Sequence, residues 1–204
     1  MLNRYRQCRY LLSVHQLHQL PPDDGFEIAF AGRSNAGKSS AINCICDQKS
    51  LAKTSRTPGH TQAINYFSVD EQRHIVDLPG YGYARVANST KKHWQKILTE
   101  YLTNRRALTA LMLIIDIRHP LQPVDWMLLE LTVKRALPVH LLLTKCDKLS
   151  RSQSNKQLYQ IKADLERAGV DATLQLFSAS QRIGVEDAHS VLDDWFQFAL
   201  IHVE

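Results

Sequence analysis

Residues 26 to 46 read FEIAFAGRSNAGKSSAINCIC. An apolar run of strand length enters a turn with glycines at 32 and 37, and a helix-compatible stretch leaves it. Strand, glycine turn and helix in that order make the first βα unit of a parallel sheet, because parallel neighbours need a crossover. The turn GRSNAGKS matches G-x-x-x-x-G-K-[ST]. Gly32 and Gly37 let the main chain fold around phosphates, the amides and helix N-terminus supply partial positive charge, and Lys38 reaches the β and γ oxygens. The Ser39 hydroxyl is the expected Mg²⁺ ligand. A plain strand-to-helix turn would need the glycines but not Lys-Ser at this spacing. Phosphate binding follows, but not the base or the reaction, since kinases, ATPases and GTPases share the cradle.

The pattern continues as strands alternating with amphipathic helices. Candidate strands are FEIAFA (26–31), AINYFSV (63–69), RHIVD (73–77), ALMLIID (110–116), VHLLLT (139–144) and TLQLFS (173–178). Most are apolar throughout, as strands covered on both faces are. Three residues separate the second from the third, too few for a crossover, so these two form an antiparallel hairpin. Helical stripes run through Trp94, Ile97, Leu98, Tyr101 and Leu102, through Val124, Met127, Leu128 and Leu131, and through Leu158, Ile161 and Leu165. A last stripe, Ala188, Val191, Leu192, Trp195, Phe196 and Ala199, predicts a helix covering the sheet. RYLLSVHQLHQLPPDDG, before the first strand, reads as either an edge strand or a short helix ending at Pro21 and Pro22.

A chain of 204 residues, 44% hydrophobic and 22% charged, fits one ordinary soluble domain. No repeat or linker divides it, so residues 1–204 are expected to form a single domain, with 1–25 an N-terminal extension and 26–204 the core. No apolar run is long enough to span a bilayer, and the start lacks a signal peptide's apolar segment, so no membrane partner and a cytoplasmic location are expected. Cys8, Cys44, Cys46 and Cys146 form no CxxC and no zinc-like spacing, and read as reduced, buried thiols. The formal charge of +5 is compatible with a polyanionic partner without requiring one.

TKCD, residues 144 to 147, follows a strand where a ligand-binding loop belongs. The Asp147 carboxylate can accept from guanine N1–H and its 2-amino group, whereas adenine offers neither donor and would leave the acid unpaired. Lys145 can lay its aliphatic stem along the base, and the backbone of FSAS (177–180) can meet the guanine carbonyl. Between cradle and base reader, DLPGYGYA (77–84) ends a strand as a sensor of a terminal phosphate would, yet Tyr81 stands where a water-orienting glutamine would be useful.

GRSNAGKS, TPGHTQ (57–62), DLPGYGYA, TKCD and FSAS, in this order along about residues 8 to 200, resemble the translation-factor-related small GTPases, and most of all the EngB family. The resemblance implies a three-layer Ras-like α/β domain with about six strands, mostly parallel with one antiparallel, and helices on both faces. It implies GTP and GDP as ligands, Mg²⁺ as cofactor, a role in large ribosomal subunit assembly with its precursor and rRNA as partners, and a requirement in division and septation; a monomer is expected. By position, Ser39 and Thr61 are expected to ligate Mg²⁺, Asp77 to reach it through water, and the Gly80 amide to touch the γ-phosphate. The expected nucleotide site comprises Gly32, Arg33, Ser34, Asn35, Ala36, Gly37, Lys38, Ser39 and Ser40 of the loop; Gly59, His60, Thr61, Gln62 and Ala63 of the first switch; Asp77, Leu78, Pro79 and Gly80 of the second; and Thr144, Lys145, Cys146, Asp147, Phe177, Ser178 and Ala179 around the base. Thr144 stands where many GTPases carry Asn, a variation that the family shares.

Lys38, Thr61, Gly80 and Asn35 are the expected catalytic residues. Because Tyr81 cannot aim a water as glutamine does, hydrolysis is expected to be slow until a partner or ion assists. Asn35 either holds a stimulating K⁺ or simply caps the loop. Arg85, Lys91, Lys92, His93, Arg105 and Arg106 form either an RNA-facing basic surface or a solvated helix rim. Two alternatives stand beside the GTPase switch: a GTP-dependent docking module with negligible hydrolysis, and a P-loop small-molecule kinase, which would need a lid and acceptor pocket that the motifs do not offer.

Overall fold

A computed structural model describes residues 3–53, 63–81 and 88–198, the side chains of 88–94 excepted. Seven strands form one sheet: β1 (Arg9–Val14), β2 (Phe26–Gly32), β3 (Ile64–Ser68), β4 (Arg73–Asp77), β5 (Leu108–Asp116), β6 (Val139–Thr144) and β7 (Thr173–Leu176), in spatial order β1-β3-β4-β2-β5-β6-β7. The helices are α1 (Lys38–Ile45), α2 (Asn88–Asn104), α3 (Pro123–Arg135), α4 (Arg151–Arg167) and α5 (Val185–Trp195). β3 runs against the rest, pairing antiparallel with β1 and β4, and the other pairings are parallel. The expected hairpin is present in the register Asn65↔Asp77 to Ser68↔His74. Asp70 shapes its turn by accepting from the amides of Gln72 and Arg73.

The sheet has one strand more than the six expected. The extra strand is β1, from the segment that reads as either strand or helix. Of its six residues Val14 alone is buried, Tyr10 and Leu11 are well exposed, and a bulge interrupts the register between Tyr10 and Leu12. An edge strand with one face in water carries little periodic signal.

Alternation along the strands divides the core in two. Ala29 and Ala31 of β2, with Leu111, Leu113 and Ile115 of β5, face α2, α3 and α4 through Leu98, Leu128 and Ile161. Their neighbours Ile28, Phe30, Met112 and Ile114 face α1 and α5 through Ile42 and Leu192. This is the period of two that a doubly covered sheet requires. The stripes hold where they are described: Ile97, Leu98, Tyr101, Leu102, Ile161, Leu165, Ala188 and Leu192 are all buried. The Trp94 side chain and Ala199 lie outside what is described. All four cysteines are free and buried, and among the described residues no helix is long and apolar enough to cross a membrane.

Two buried polar clusters brace the sheet away from the cradle. Glu27 accepts from the Tyr101 hydroxyl at 2.7 Å and from Arg105, whose guanidinium also donates to the carbonyls of Pro21 and Pro22. Further along, His140 lies between Thr173 Oγ1 at 2.6 Å and Gln175 Oε1 at 3.0 Å. Gln175 donates its own Nε2 to Gly184 O, which turns Oε1 toward the ring. The ring therefore donates through Nε2–H and accepts through Nδ1, a neutral imidazole, and burial pushes its pKa down to about 4.

Arg105→Met strands the Glu27 carboxylate and is expected to lower unfolding free energy by about 3–5 kcal/mol in urea titrations; a loss under about 1 kcal/mol would mean that the pair is not braced as described. For His140 the folded pKa lies below the unfolded 6.5, so its contribution is complete above pH 6.5 and fades as pH falls toward about 4. The loss should reach about 3 kcal/mol, and its pH slope should vanish in His140→Leu.

Candidate functional site

The carboxyl ends of β2, β4, β5 and β6 converge on the glycine turn. β2 ends at Gly32, and α1 starts at Lys38, one residue after Gly37. Gly37 has φ +100, a backbone state that side chains rarely adopt, so the turn into the helix depends on glycine. Lys38 is buried, and its ammonium pairs with the equally buried Asp77 at the end of β4. The cation and the acid of two separate motifs thus neutralise each other on the floor of the cradle.

The loop is tied from outside by β6. The Thr144 hydroxyl bonds Ala36 O and Ile115 O, and Lys145 Nζ donates to Asn35 O at 2.6 Å and to Asp116 at 2.9 Å. Lys145 has φ +61 and Asn35 φ +66, left-handed states that cost a non-glycine residue energy and are held by these bonds. Burial opposes ionisation of Asp116, but hydrogen bonds from Arg118 and Lys145 outweigh it and hold the carboxyl well below the usual carboxylate range.

After Lys145 the chain makes a short 3-10 turn, Cys146–Lys148, that presents Asp147. The Ser178 hydroxyl donates to Asp147 Oδ1 at 2.6 Å and lowers its pKa, with Lys148 assisting on the other oxygen. Cys146 N donates to Phe177 O, and Cys44 of α1 reaches Ala179 O, so TKCD, FSAS and α1 are joined. The second expected switch begins as a continuation of the sheet. Leu78 N donates to Phe30 O, Ser34 N donates to Tyr81 O at 2.9 Å, and Arg33 and Tyr81 form a parallel bridge. Tyr81 is buried, its hydroxyl donating to Asp125 of α3 at 2.7 Å.

The family model described as "50S ribosome-binding GTPase" matches residues 27–145, more than half of the chain. "Probable GTP-binding protein EngB" of Coxiella burnetii is 48% identical over 193 residues, covering 95% of this chain and 94% of that protein. The protein of the same description from Nitrosococcus oceani is 50% identical over 195 residues, covering 96% and 98%. The chain belongs to the EngB family of GTPases. Among solved structures, a probable GTP-binding protein engB superposes with TM-score 0.69 at 18% identity, covering 84% of this chain and 98% of that one. Era in complex with MgGDPNP and nucleotides 1506–1542 of 16S ribosomal RNA superposes with TM-score 0.64 at 17% identity, covering 84% and 57%. Both share the Ras-like fold.

The glycine turn, the DLPG segment and the TKCD loop are thus contiguous. Gly59, His60, Thr61 and Gln62 lie outside the described residues, while Ala63 is buried just before β3. Ser39 and Ser40 sit in the first turn of α1. The expected basic face is corrected in part. Arg105 is turned inward onto Glu27, because that buried acid at the start of β2 needs a counter-charge, whereas Arg106 stays exposed beside Asp23. Arg85 and the side chains of Lys91, Lys92 and His93 lie outside what is described. Sequence reasoning missed Asp116 and Asp125. Asp116 ends an otherwise apolar strand run, which is a usable signal, whereas Asp125 resembles any acid in a helix's first turn.

Proposed function

We propose that this protein is a guanine-nucleotide switch with slow hydrolysis that acts in large ribosomal subunit assembly in the cytoplasm, as a monomer, and thereby supports division and septation. The observation that carries the reading is the pair of bonds from Thr144 and Lys145 to the carbonyls of Ala36 and Asn35. They set the cradle and Asp147 in one frame, so a ligand must fit both at once. Asp147 is held ionised by Ser178, and its remaining partner, the exposed Lys148, is readily displaced by a base. The likeness to the 50S ribosome-binding family supports the ribosomal partner.

Gly32 through Ser40 take the phosphates, with Lys38 leaving Asp77 for the β and γ oxygens. The oxygens of Ser39 and Asp77 suit Mg²⁺, a hard cation that completes its shell with phosphate and water. Among the described residues no group of three or more His, Cys, Asp or Glu side chains could hold an ion by itself, which favours an ion that arrives with nucleotide. Thr61 supplies the second hydroxyl, Gly80 meets the γ-phosphate, and the first switch from Gly59 to Ala63 relaxes when that phosphate leaves. Lys145, Cys146, Phe177 and Ala179 enclose the guanine.

Tyr81 is spent on Asp125 and orients no water, so unassisted turnover should be slow, near roughly 10⁻⁴ to 10⁻³ s⁻¹. The same observation favours a second reading, a docking module that never turns over. Asn35 is a candidate K⁺ holder by its place in the loop, where it is exposed and Lys145 holds its main-chain carbonyl.

In competition among GTP, GDP and ATP with Mg²⁺ present, the two guanine nucleotides should bind and ATP should be weaker by at least about a hundredfold. Equal ATP binding would overturn the assignment of Asp147. Asp147→Asn should lose guanine nucleotides and gain xanthine nucleotides, whose 2-carbonyl accepts from the new amide. Single-turnover hydrolysis in K⁺ should exceed that in Na⁺, and equal rates would remove the ion. Assembling ribosomal particles should accelerate turnover, whereas binding without acceleration would establish the docking module.

A further inference from the structure

We propose that Asp125 is a positioning residue for the second switch, acting through the Tyr81 hydroxyl to hold the Gly80 amide against the phosphate loop. This rests on the proposed function, in which Gly80 meets the γ-phosphate.

The segment from Leu78 to Tyr81 is fixed at both ends and contains the functional amide between them. At the near end Leu78 N is bonded to Phe30 O of β2, and at the far end Tyr81 O accepts from Ser34 N of the loop. Gly80 packs so closely on that loop that a Cβ there would lie 3.0 Å from Ser34 Oγ, itself a buried hydroxyl that has no partner among the described residues. Among the described residues no acceptor takes the Gly80 amide, which leaves it available to a ligand. A third main-chain bond, from Tyr81 N to Gly32 O, is long at 3.4 Å, and all three bonds tie the segment to β2 and the loop that follows it; among the described residues the Tyr81 side chain adds the one point of attachment to another element. Its ring lies in the core beneath α2 and α3, and its hydroxyl donates to Asp125 Oδ1 at 2.7 Å.

Asp125 is well suited to be the fixed end. It is fully buried, and its second oxygen accepts from Gln122 N at 2.8 Å, so the carboxylate is locked to the start of α3. Among the described residues this is the hydrogen bond that joins segment 78–81 to α3. A cavity of about 250 Å³ lies beside the loop at the end of β5, lined by Arg33, Asn35, Asp116 and Lys145 among others, and Asp125 is the residue of α3 that reaches it. Burial and the Asp125 charge push the Tyr81 pKa far up and keep it a donor, and Arg33 is the cation facing both groups. A tyrosine after the sensor glycine therefore trades water orientation for anchorage.

The test compares affinities for GDP and a non-hydrolysable GTP analogue, with Mg²⁺, in the full chain and its variants. Tyr81→Phe keeps the ring and removes only the hydroxyl. It should weaken the analogue on the order of tenfold and leave GDP within about twofold, because GDP has no group for Gly80 to meet. Asp125→Ala should do the same, and the double variant should be no worse than either single one. Gly80→Ala is the control for the underlying reading and should also weaken the analogue selectively. If Gly80→Ala discriminates and Tyr81→Phe does not, the anchor is wrong while the γ-phosphate contact stands. If Gly80→Ala treats both nucleotides alike, that contact fails and takes the anchor with it. Thermal melting establishes that each variant is folded; should Asp125→Ala fail to fold, Tyr81→Phe decides alone.

Discussion

A phosphate loop works only if its amides face the ligand, and that requires its carbonyls to be held facing away. Here the restraint comes from β6. Thr144 and Lys145 take the carbonyls of Ala36 and Asn35 from behind, and the left-handed backbone of Asn35 and Lys145 is the local cost of that arrangement. Asp116, kept ionised by Arg118 and Lys145, fixes the ammonium that does the holding. The interaction links two strands that are neighbours only through β5, so it depends on the whole parallel array being in register.

From that frame the chemistry divides by distance from the loop. Near it, Lys38 and Asp77 cancel each other in the interior, and an isolated charge of either sign would be costly there. In the proposed function, an anion that captured Lys38 would free Asp77, so that phosphate and cation sites would become available together. Farther out, Asp147 stands on a short turn with one oxygen spent on Ser178, and the other is contested only by an exposed lysine. The cradle is thus set for an anion and the turn for a donor edge.

How much of this could be read from the sequence depends on whether the residues concerned report to a periodic pattern. The six core strands were legible because most are apolar on both faces, and the hairpin because three residues cannot cross over. β1 was not, since a single buried residue and a bulge leave nothing periodic to read. The cradle was legible from its spacing and TKCD from its position after a strand. The inward turn of Arg105 was hidden, because its partner Glu27 sits 78 positions away and the two meet only once β2 and the end of α2 are packed. Asp125 was hidden for the same reason, since an acid at the start of a helix already has a local explanation.

That concealment has a physical basis relevant to the proposed switch. Motif residues in the cradle act through main-chain geometry, which sequence spacing encodes directly. Residues that hold a switch act through one side-chain bond across the core, and any pair of elements brought together by the fold can supply it. Tyr81 and Asp125 make that link between the DLPG segment and α3, on the opposite side of the sheet from α1 and α5. A partner that displaced α3 would pull on Gly80 without touching nucleotide, whereas one that pressed on α1 or α5 would act through the cradle itself.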